Sequence, residues 1–260
     1  FEKAVETLER ASATAEEIEH DEERIRMLCE IGDHFIDAKR DDLAVGTFEK
    51  ARSFAEGLGN VHKDALLVRC STGLLHAGAE EHADETLDLV LDKTQLASAL
   101  LVFARDSWKK EEKEEAVDTL EEAYAIVNSQ KESETRDSRS RNAILAAIAA
   151  QFAVFEKSER GAEIAQSNPD PQEQWSALSQ ISQILTMQNQ DDRARDIVKL
   201  IPDESRSVSA LVLISDAKQR LGDSEGAINL LSEATTWVET IPQLVARSSA
   251  MNDISARYAK

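Results

Sequence analysis

Two cysteines, Cys29 and Cys70, are too few for a disulfide framework, and no CxxC pair offers a metal clip. Thiols that fall on helical apolar faces behave as small hydrophobes, so a reducing compartment such as the cytoplasm is the simpler expectation. Glycine is scarce, nine residues in 260, and neither GxGxxG nor a Gly-Lys-Ser/Thr loop is there to cradle a phosphate. GxSxG and HExxH are missing as well, so no enzyme is expected. No apolar run approaches the ~20 residues that span a bilayer, so no membrane crossing is expected. No Lys-headed apolar leader opens the chain, although Phe1 already stands inside a helical pattern, as it would if a leader had preceded it. Cations are short too: thirty Lys and Arg face fifty Asp and Glu, a formal charge of -20 with a pI near 4.7. Such a field repels phosphate backbones and argues against nucleic acid. It also suits a salt-rich cytoplasm, where surface carboxylates keep a protein dissolved.

All five histidines, His20, His34, His62, His76 and His82, lie in the first third. Glu17-x2-His20 puts a carboxylate and an imidazole on one helical face, but a di-iron site needs a second such pair, and none exists. Neither metal nor cofactor is expected. What is abundant is the material of a helical core: 42% hydrophobic and 31% charged residues, enough apolar content to offset ordering entropy. No stretch alternates with period two long enough for a strand.

The stretch from Leu28 to Ala51 reads as one helical hairpin. Leu28, Ile31, Gly32 and Phe35 share one face, Arg40-Asp41-Asp42 turns, and Ala44, Phe48 and Ala51 share another. Aligned on the alanine that opens each second helix, Ala4, Ala44, Ala83, Ala116, Ala162, Ala194 and Ala227 fall into register. Sixteen residues before the last six stand Leu28, Leu67, Leu100, Ala146, Leu178 and Leu211, and twelve before stand Gly32, Ser71, Ala104, Ala150, Ser182 and Ser215. A small residue at the crossing lets two helices approach closely. Four after the alanine come Phe48, Leu87, Leu120, Gln166, Val198 and Leu231, of which only Gln166 breaks the apolar rule. Gly78, Ser158, Asp191-Asp192 and Gly222-Asp223 are expected to supply left-handed C-caps and oxygen-bearing N-caps. Pro169, Pro171, Pro202 and Pro242 fall between hairpins. Glu132/Arg136 and Asp137/Arg141 have i,i+4 spacing, which predicts helix from about Glu132.

Leu28-x2-Ile31-Gly32-x2-Phe35 followed by Ala44-x3-Phe48-x2-Ala51 resembles the tetratricopeptide repeat. The likeness runs from a half repeat at Ala4-x3-Leu8-x2-Ala11 to Met251-x2-Ile254-Ser255-x2-Tyr258. The spacing of the opening alanines, 40, 39, 33, 46, 32 and 33, departs from the family's ~34, with the variation in the second helices and the connections after them. The resemblance implies an all-α fold, a right-handed superhelical α-solenoid of about six antiparallel hairpins with a half repeat at each end. It also implies a single repeat domain over 1–260, a piece of a longer chain or array. Neither end shows an obvious polar cap, so the open ends are expected to meet a partner or another copy.

In that family the first helices line a concave groove. By resemblance the groove here would be lined by Arg26, Asp33, Asp37, Thr72, His76, Arg105, Trp108 and Lys109. Further along it would continue with Gln151, Phe155, Gln183, Met187, Asp216, Gln219 and Arg220. Arg26, Arg105, Lys109, Arg220 and Lys260 outnumber Asp33, Asp37 and Asp216, so this is expected to be the least acidic face. It would suit a peptide or helix of acidic and apolar character, held by Trp108, Phe155 and Met187 and oriented by Arg105 and Lys109. The bland alternative has Trp108 and Phe155 packing against the turns beside them. Family members that clamp a C-terminal carboxylate use Lys and Asn where this chain has Cys29, Val68 and Leu101. A non-enzymatic interaction scaffold is thus the expected function. The alternatives are a self-assembling array, and a sensor domain serving an attached effector.

Overall fold

A computed structural model of the chain describes residues 2–59, 61–130 and 138–258. Among these residues there are fourteen α-helices and no strand. Contacts divide the chain into two compact units, 1–129 and 130–260.

The first unit holds α1 (Glu2–Ala15), α2 (Asp21–Asp37), α3 (Asp41–Glu56), α4 (Lys63–His76), α5 (Glu80–Leu87), α6 (Lys93–Lys109) and α7 (Lys113–Asn128). Helices α2/α3, α4/α5 and α6/α7 pack as pairs, α1 packs on α2, and the first members α2, α4 and α6 touch in succession. The second unit repeats the scheme with α8 (Ser138–Val154), α9 (Ser158–Ser167), α10 (Pro171–Met187), α11 (Asp191–Val198), α12 (Glu204–Arg220), α13 (Ser224–Val238) and α14 (Leu244–Tyr258). Its pairs are α8/α9, α10/α11 and α12/α13, and α8, α10, α12 and α14 form the succession of first helices. No helix is long and apolar enough to cross a membrane among the described residues.

Every pair is joined by three residues closed in the same way. The middle residue is left-handed: Lys39, Gly78, Glu111, Glu156, Asn189 and Gly222 have φ between 56° and 81°. The next residue's N–H reaches back five positions, as in Arg40 N to Phe35 O (2.9 Å), Lys157 N to Phe152 O (2.8 Å) and Asp223 N to Lys218 O (3.0 Å). This is the Schellman closure, which satisfies carbonyls that a helix end leaves open.

The small residues do their expected work at the crossings. Gly32, Ser71, Ala104, Ser182 and Ser215 are all buried there, and Ala150 is buried too, although the crossing in its hairpin is made by Ala149. Phe48 of α3 is fully enclosed, and a Cβ on Gly32 would stand 2.6 Å from its Cζ, while one on Gly73 of α4 would come closer still. Ser71 Oγ donates to Ala83 O (2.8 Å), and Ser215 Oγ donates to Ala227 O (3.0 Å), the same bond twelve residues apart in two hairpins.

One register is corrected. The opening residue of the fourth hairpin is Gly161, not Ala162. In the other five hairpins the second helix starts three residues before its opening alanine, and α9 starts at Ser158. A Cβ on Gly161 would run into the carbonyl oxygen of Ala149, twelve residues earlier, so Gly161 makes the close crossing. Leu145 and Ile148 then take the core positions, and Ala165, fully buried, replaces the exposed Gln166 as the i+4 partner. With this shift, three of the five intervals between openings are 33 residues: Ala83 to Ala116, Gly161 to Ala194 and Ala194 to Ala227.

Other expectations change at the caps and the ends. Ser158 and Asp191 are the first residues of their helices and cap nothing, whereas Asp92, Asp170, Asp203 and Asp223 accept backbone N–H bonds as N-caps. Ala4 is exposed, because α1 buries Val5, Ser12 and Ala15 instead. Ile254 is buried while Ser255 and Tyr258 are exposed, since no second helix covers them among the described residues. The helix expected from Glu132 falls on 131–137, outside the described residues, and α8 is seen from Ser138. The prolines do separate hairpins, with Pro171 opening α10.

Candidate binding face of the first helices

With the register fixed, a single stripe of each first helix is left uncovered by its own hairpin. It holds the residues eighteen, fourteen, eleven and seven positions before the opening residue, spaced to share one helical face. In the first unit these are Arg26, Glu30, Asp33 and Asp37, then Ala65, Arg69, Thr72 and His76, then Ser98, Val102, Arg105 and Lys109. In the second they are Ala143, Ala147, Ala150 and Val154, then Ser176, Gln180, Gln183 and Met187, then Ser209, Leu213, Asp216 and Arg220. All are exposed or half-buried except Ala150.

This accounts for two misplaced groove residues. Gln151 and Phe155 are buried, at 5% and 1% exposure, and neither stands on an open face. They stand eleven and seven residues before Ala162. Counted from Gly161, those positions belong to Ala150 and Val154, and Val154 is 39% exposed. Phe155 is ordinary packing beside its turn.

Of the remaining candidates, Trp108 and Gln219, eight residues before their openings, flank the stripe, and the others among the described residues stand on it. Arg26 is exposed and pairs loosely with Glu22 at 3.7 Å. The Thr72 hydroxyl is spent on its own helix, 3.0 Å from Val68 O. His76, Arg105 and Lys109 are exposed, and Trp108 is half-buried with Lys113 Nζ 4.9 Å from its ring centroid. Gln183 Nε2 donates to Ser179 O (3.2 Å), Met187 is 62% exposed, and Gln219 and Arg220 are exposed. Lys260 lies outside the described residues.

Between neighbouring first helices the face dips. In the first unit a hollow of about 400 Å³ separates α2 from α4, lined by Arg26, Cys29, Glu30, Asp33, His62, Ala65, Leu66 and Arg69. An Arg69–Asp33 ion pair crosses it, and Arg69 also faces the Phe48 ring, 5.9 Å from its centroid. In the second unit a hollow of about 200 Å³ lies among α10, α12 and α14, lined by Trp175, Val208, Ser209, Val212, Leu213, Ala250, Asp253 and Arg257. Trp175 Nε1 donates to Arg206 O (3.3 Å), which ties α10 to α12 at its rim. A further hollow of about 300 Å³, bounded by α12, α13 and α14, includes Asp216 and Gln219, with Arg257 Nε 3.5 Å from Asp216.

Residues missed from the sequence include Glu30, Ala65 and Arg69. The signal for two of them was at hand, because positions eighteen and eleven lie two turns apart, and position fourteen must share their side of the helix. Adding it leaves the face nearly neutral. The first unit's stripe carries Arg26, Arg69, Arg105 and Lys109 against Glu30, Asp33 and Asp37, and the second unit's only Arg220 against Asp216. The opposite layer is more heavily charged and is joined laterally by ion pairs, among them Arg52–Glu85 (3.3 Å) between α3 and α5 and Arg195–Glu233 (3.0 Å) between α11 and α13.

No protein-family model and no curated protein matches the chain. Among solved structures it is similar to Ton1535 from Thermococcus onnurineus NA1, at 15% identity over 97% of this chain and 85% of that one. The TM-score is 0.40, at which the likeness carries no argument about this chain.

Proposed function

We propose that the protein is a non-enzymatic interaction scaffold built of tetratricopeptide-like hairpins, and that the first helices of each unit hold a peptide or helix from a protein partner. The observation that carries this reading is the near-neutral, dimpled stripe along adjacent first helices in a chain of net charge -20. A face kept free of the prevailing charge admits segments that the rest of the surface repels. In the first unit Arg105 and Lys109 suit acidic groups on the ligand. In the second Leu213, Met187 and Trp175 suit apolar ones. Two free thiols fit a cytoplasmic setting, which is part of the proposal.

The test is a displayed library of random peptides selected on the protein. Enriched peptides should lose binding to Arg105→Glu/Lys109→Glu or to Leu213→Glu, and keep it with Asp118→Ala on the far side of α7. Equal binding to all of these variants would refute the reading. A second reading, self-assembly, is favoured by exposed apolar residues on α14: Leu244 (75%), Val245 (84%) and Met251 (40%). It requires the mass in light scattering to rise with concentration and to fall back in Leu244→Lys/Val245→Lys.

A further inference from the structure

Cys29 on α2 and Cys70 on α4 stand fifteen and thirteen residues before the openings of their second helices, where neighbouring first helices meet. Both thiols are free, and both are buried, at 1% and 0% exposure. Their sulfurs are 3.7 Å apart. A disulfide needs about 2.05 Å, so closing the bond takes rotation of two side chains and a small approach of two helices. Cys29 is itself one of the residues that line the 400 Å³ hollow, together with Arg26, Glu30, Asp33 and Arg69, so the hollow borders the buried pair.

We propose that Cys29 and Cys70 are a reversible dithiol–disulfide couple, oxidised by hydrogen peroxide or an organic hydroperoxide that enters through this hollow, and that the disulfide ties α2 to α4. The proposal does not depend on what the groove binds. Cys29 is the attacking thiol, because it lines the hollow and Cys70 does not. The contact between the two sulfurs, in which either can donate, holds Cys29 below the usual thiol range despite burial, with the Arg69 guanidinium acting in the same direction and Asp33 against it. The same contact and burial push Cys70 well above that range.

The Cys29 thiolate attacks the terminal peroxide oxygen, an S–O bond forms as the O–O bond breaks, and the departing oxygen leaves with the thiol proton, as water from hydrogen peroxide or as the alcohol from an organic hydroperoxide. The Cys70 sulfur then attacks the Cys29 sulfenic acid, the S–S bond forms, and the S–O bond breaks with loss of water. The two thiols give up two electrons and two protons, and the peroxide takes both. A small-molecule thiol such as dithiothreitol reverses the bond by exchange.

Wild-type protein is treated with hydrogen peroxide, quenched with catalase, then denatured and alkylated. Intact mass is expected to show loss of both alkylation sites, with a Cys29–Cys70 cross-linked peptide in the non-reducing map and full recovery after dithiothreitol. Cys70→Ser should accumulate a dimedone adduct on Cys29. Two thiols that still alkylate at a peroxide dose sufficient to oxidise glutathione would overturn the proposal, as would cross-links found only between chains. A dimedone adduct on Cys70 in Cys29→Ser at the yield seen on Cys29 would overturn the assigned order of attack.

Discussion

Phe48 is the knot of the first unit, and a methyl group on Gly32 tests it. The added Cβ would meet three ring carbons at 2.6, 2.7 and 2.9 Å. Carbon pairs rest at about 3.5–4.0 Å, so the ring would have to retreat by roughly 1 Å. Retreat is restricted, because Gly73 of α4 also brings bare backbone close to the same ring, at Cε1, Cζ and Cδ1. Overpacking of this kind costs about 1–3 kcal/mol, and replacing Gly by Ala inside a helix returns about 1 kcal/mol. With the ring held by both glycines, Gly32→Ala should sit at the upper end and destabilise by about 1–2 kcal/mol. Phe48→Ala empties the site and should cost about 3–5 kcal/mol. The sharper test is the pair. Phe48→Leu alone should destabilise, but in Gly32→Ala/Phe48→Leu the new methyl moves into the space the ring vacated. The double variant should then exceed the sum of the singles in stability by about 1–2 kcal/mol. Urea unfolding followed by far-UV circular dichroism supplies the midpoints. Additivity within ~0.5 kcal/mol, or a Gly32→Ala protein more stable than wild type, would refute the packing argument.

The six turns predict opposite signs for two substitutions. Glu111→Gly and Glu156→Gly remove a left-handed L-residue and should each raise stability by about 0.5–1 kcal/mol, whereas Gly222→Ala, at φ 81°, should lower it by about 1 kcal/mol, both read from urea midpoints. Ser71→Ala and Ser215→Ala each remove a buried hydrogen bond between the helices of a pair and should cost about 0.5–1.5 kcal/mol. Ser182→Ala should cost less, since its hydroxyl serves Leu178 O of its own helix, and equal losses in all three would count against the cross-helix role. The Gly226 N–H and Lys218 hold the Asp223 carboxyl below its usual range, so its contribution is full above the unfolded pKa of about 3.9 and is lost as pH falls through the lower folded value. Asp223→Asn keeps the cap and removes the charge. The stability gap between it and wild type should shrink as pH drops below about 4, and a gap constant from neutral to acid pH would show that the charge contributes nothing.

Most of the hairpin frame was legible because it rests on steric contrast. Gly32 beside Phe35, or Ser182 beside Leu185, marks which face is tight and which is filled. In the fourth hairpin that contrast is missing, and the pattern points one residue away from the true opening. Ala146, Ala147, Ala149 and Ala150 offer no contrast along α8, and Gly161 and Ala162 are both small enough to open α9. What decides between them is the distance from the left-handed residue, Glu156. A glutamate at positive φ leaves no trace in the sequence, whereas Gly78 and Gly222 do. The candidate face inherited the error, which is how two buried side chains, Gln151 and Phe155, came to be assigned to it. The hollows were not legible at all, since they depend on how far apart neighbouring first helices sit, and single-helix periodicity does not report that distance.

The repeat is regular where the candidate face is built and irregular on the far side, and one aspartate marks where the two regimes part. In the hairpins with short second helices, α5, α9 and α11, an apolar residue four after the opening (Leu87, Ala165, Val198) is followed by a buried residue at seven (Val90, Asn168, Ile201). An N-capping aspartate then stands at nine (Asp92, Asp170, Asp203). Capping requires an extended backbone at that residue, and Asp92, Asp170 and Asp203 have ψ of 111°, 112° and 118°, so the second helix must already have ended. The chain therefore enters the next first helix 24 residues before the next opening, which fixes these three intervals at 33. Where no aspartate stands at nine, as after Ala44 and Ala116, the second helix continues to 16 residues and the interval lengthens. The first helices α2, α6, α10 and α12 nevertheless have 17 residues each, and every turn has three. Length variation is discharged into the outer layer, and the stripe of residues at eighteen, fourteen, eleven and seven keeps its place while its chemistry changes from charged in the first unit to mostly uncharged in the second.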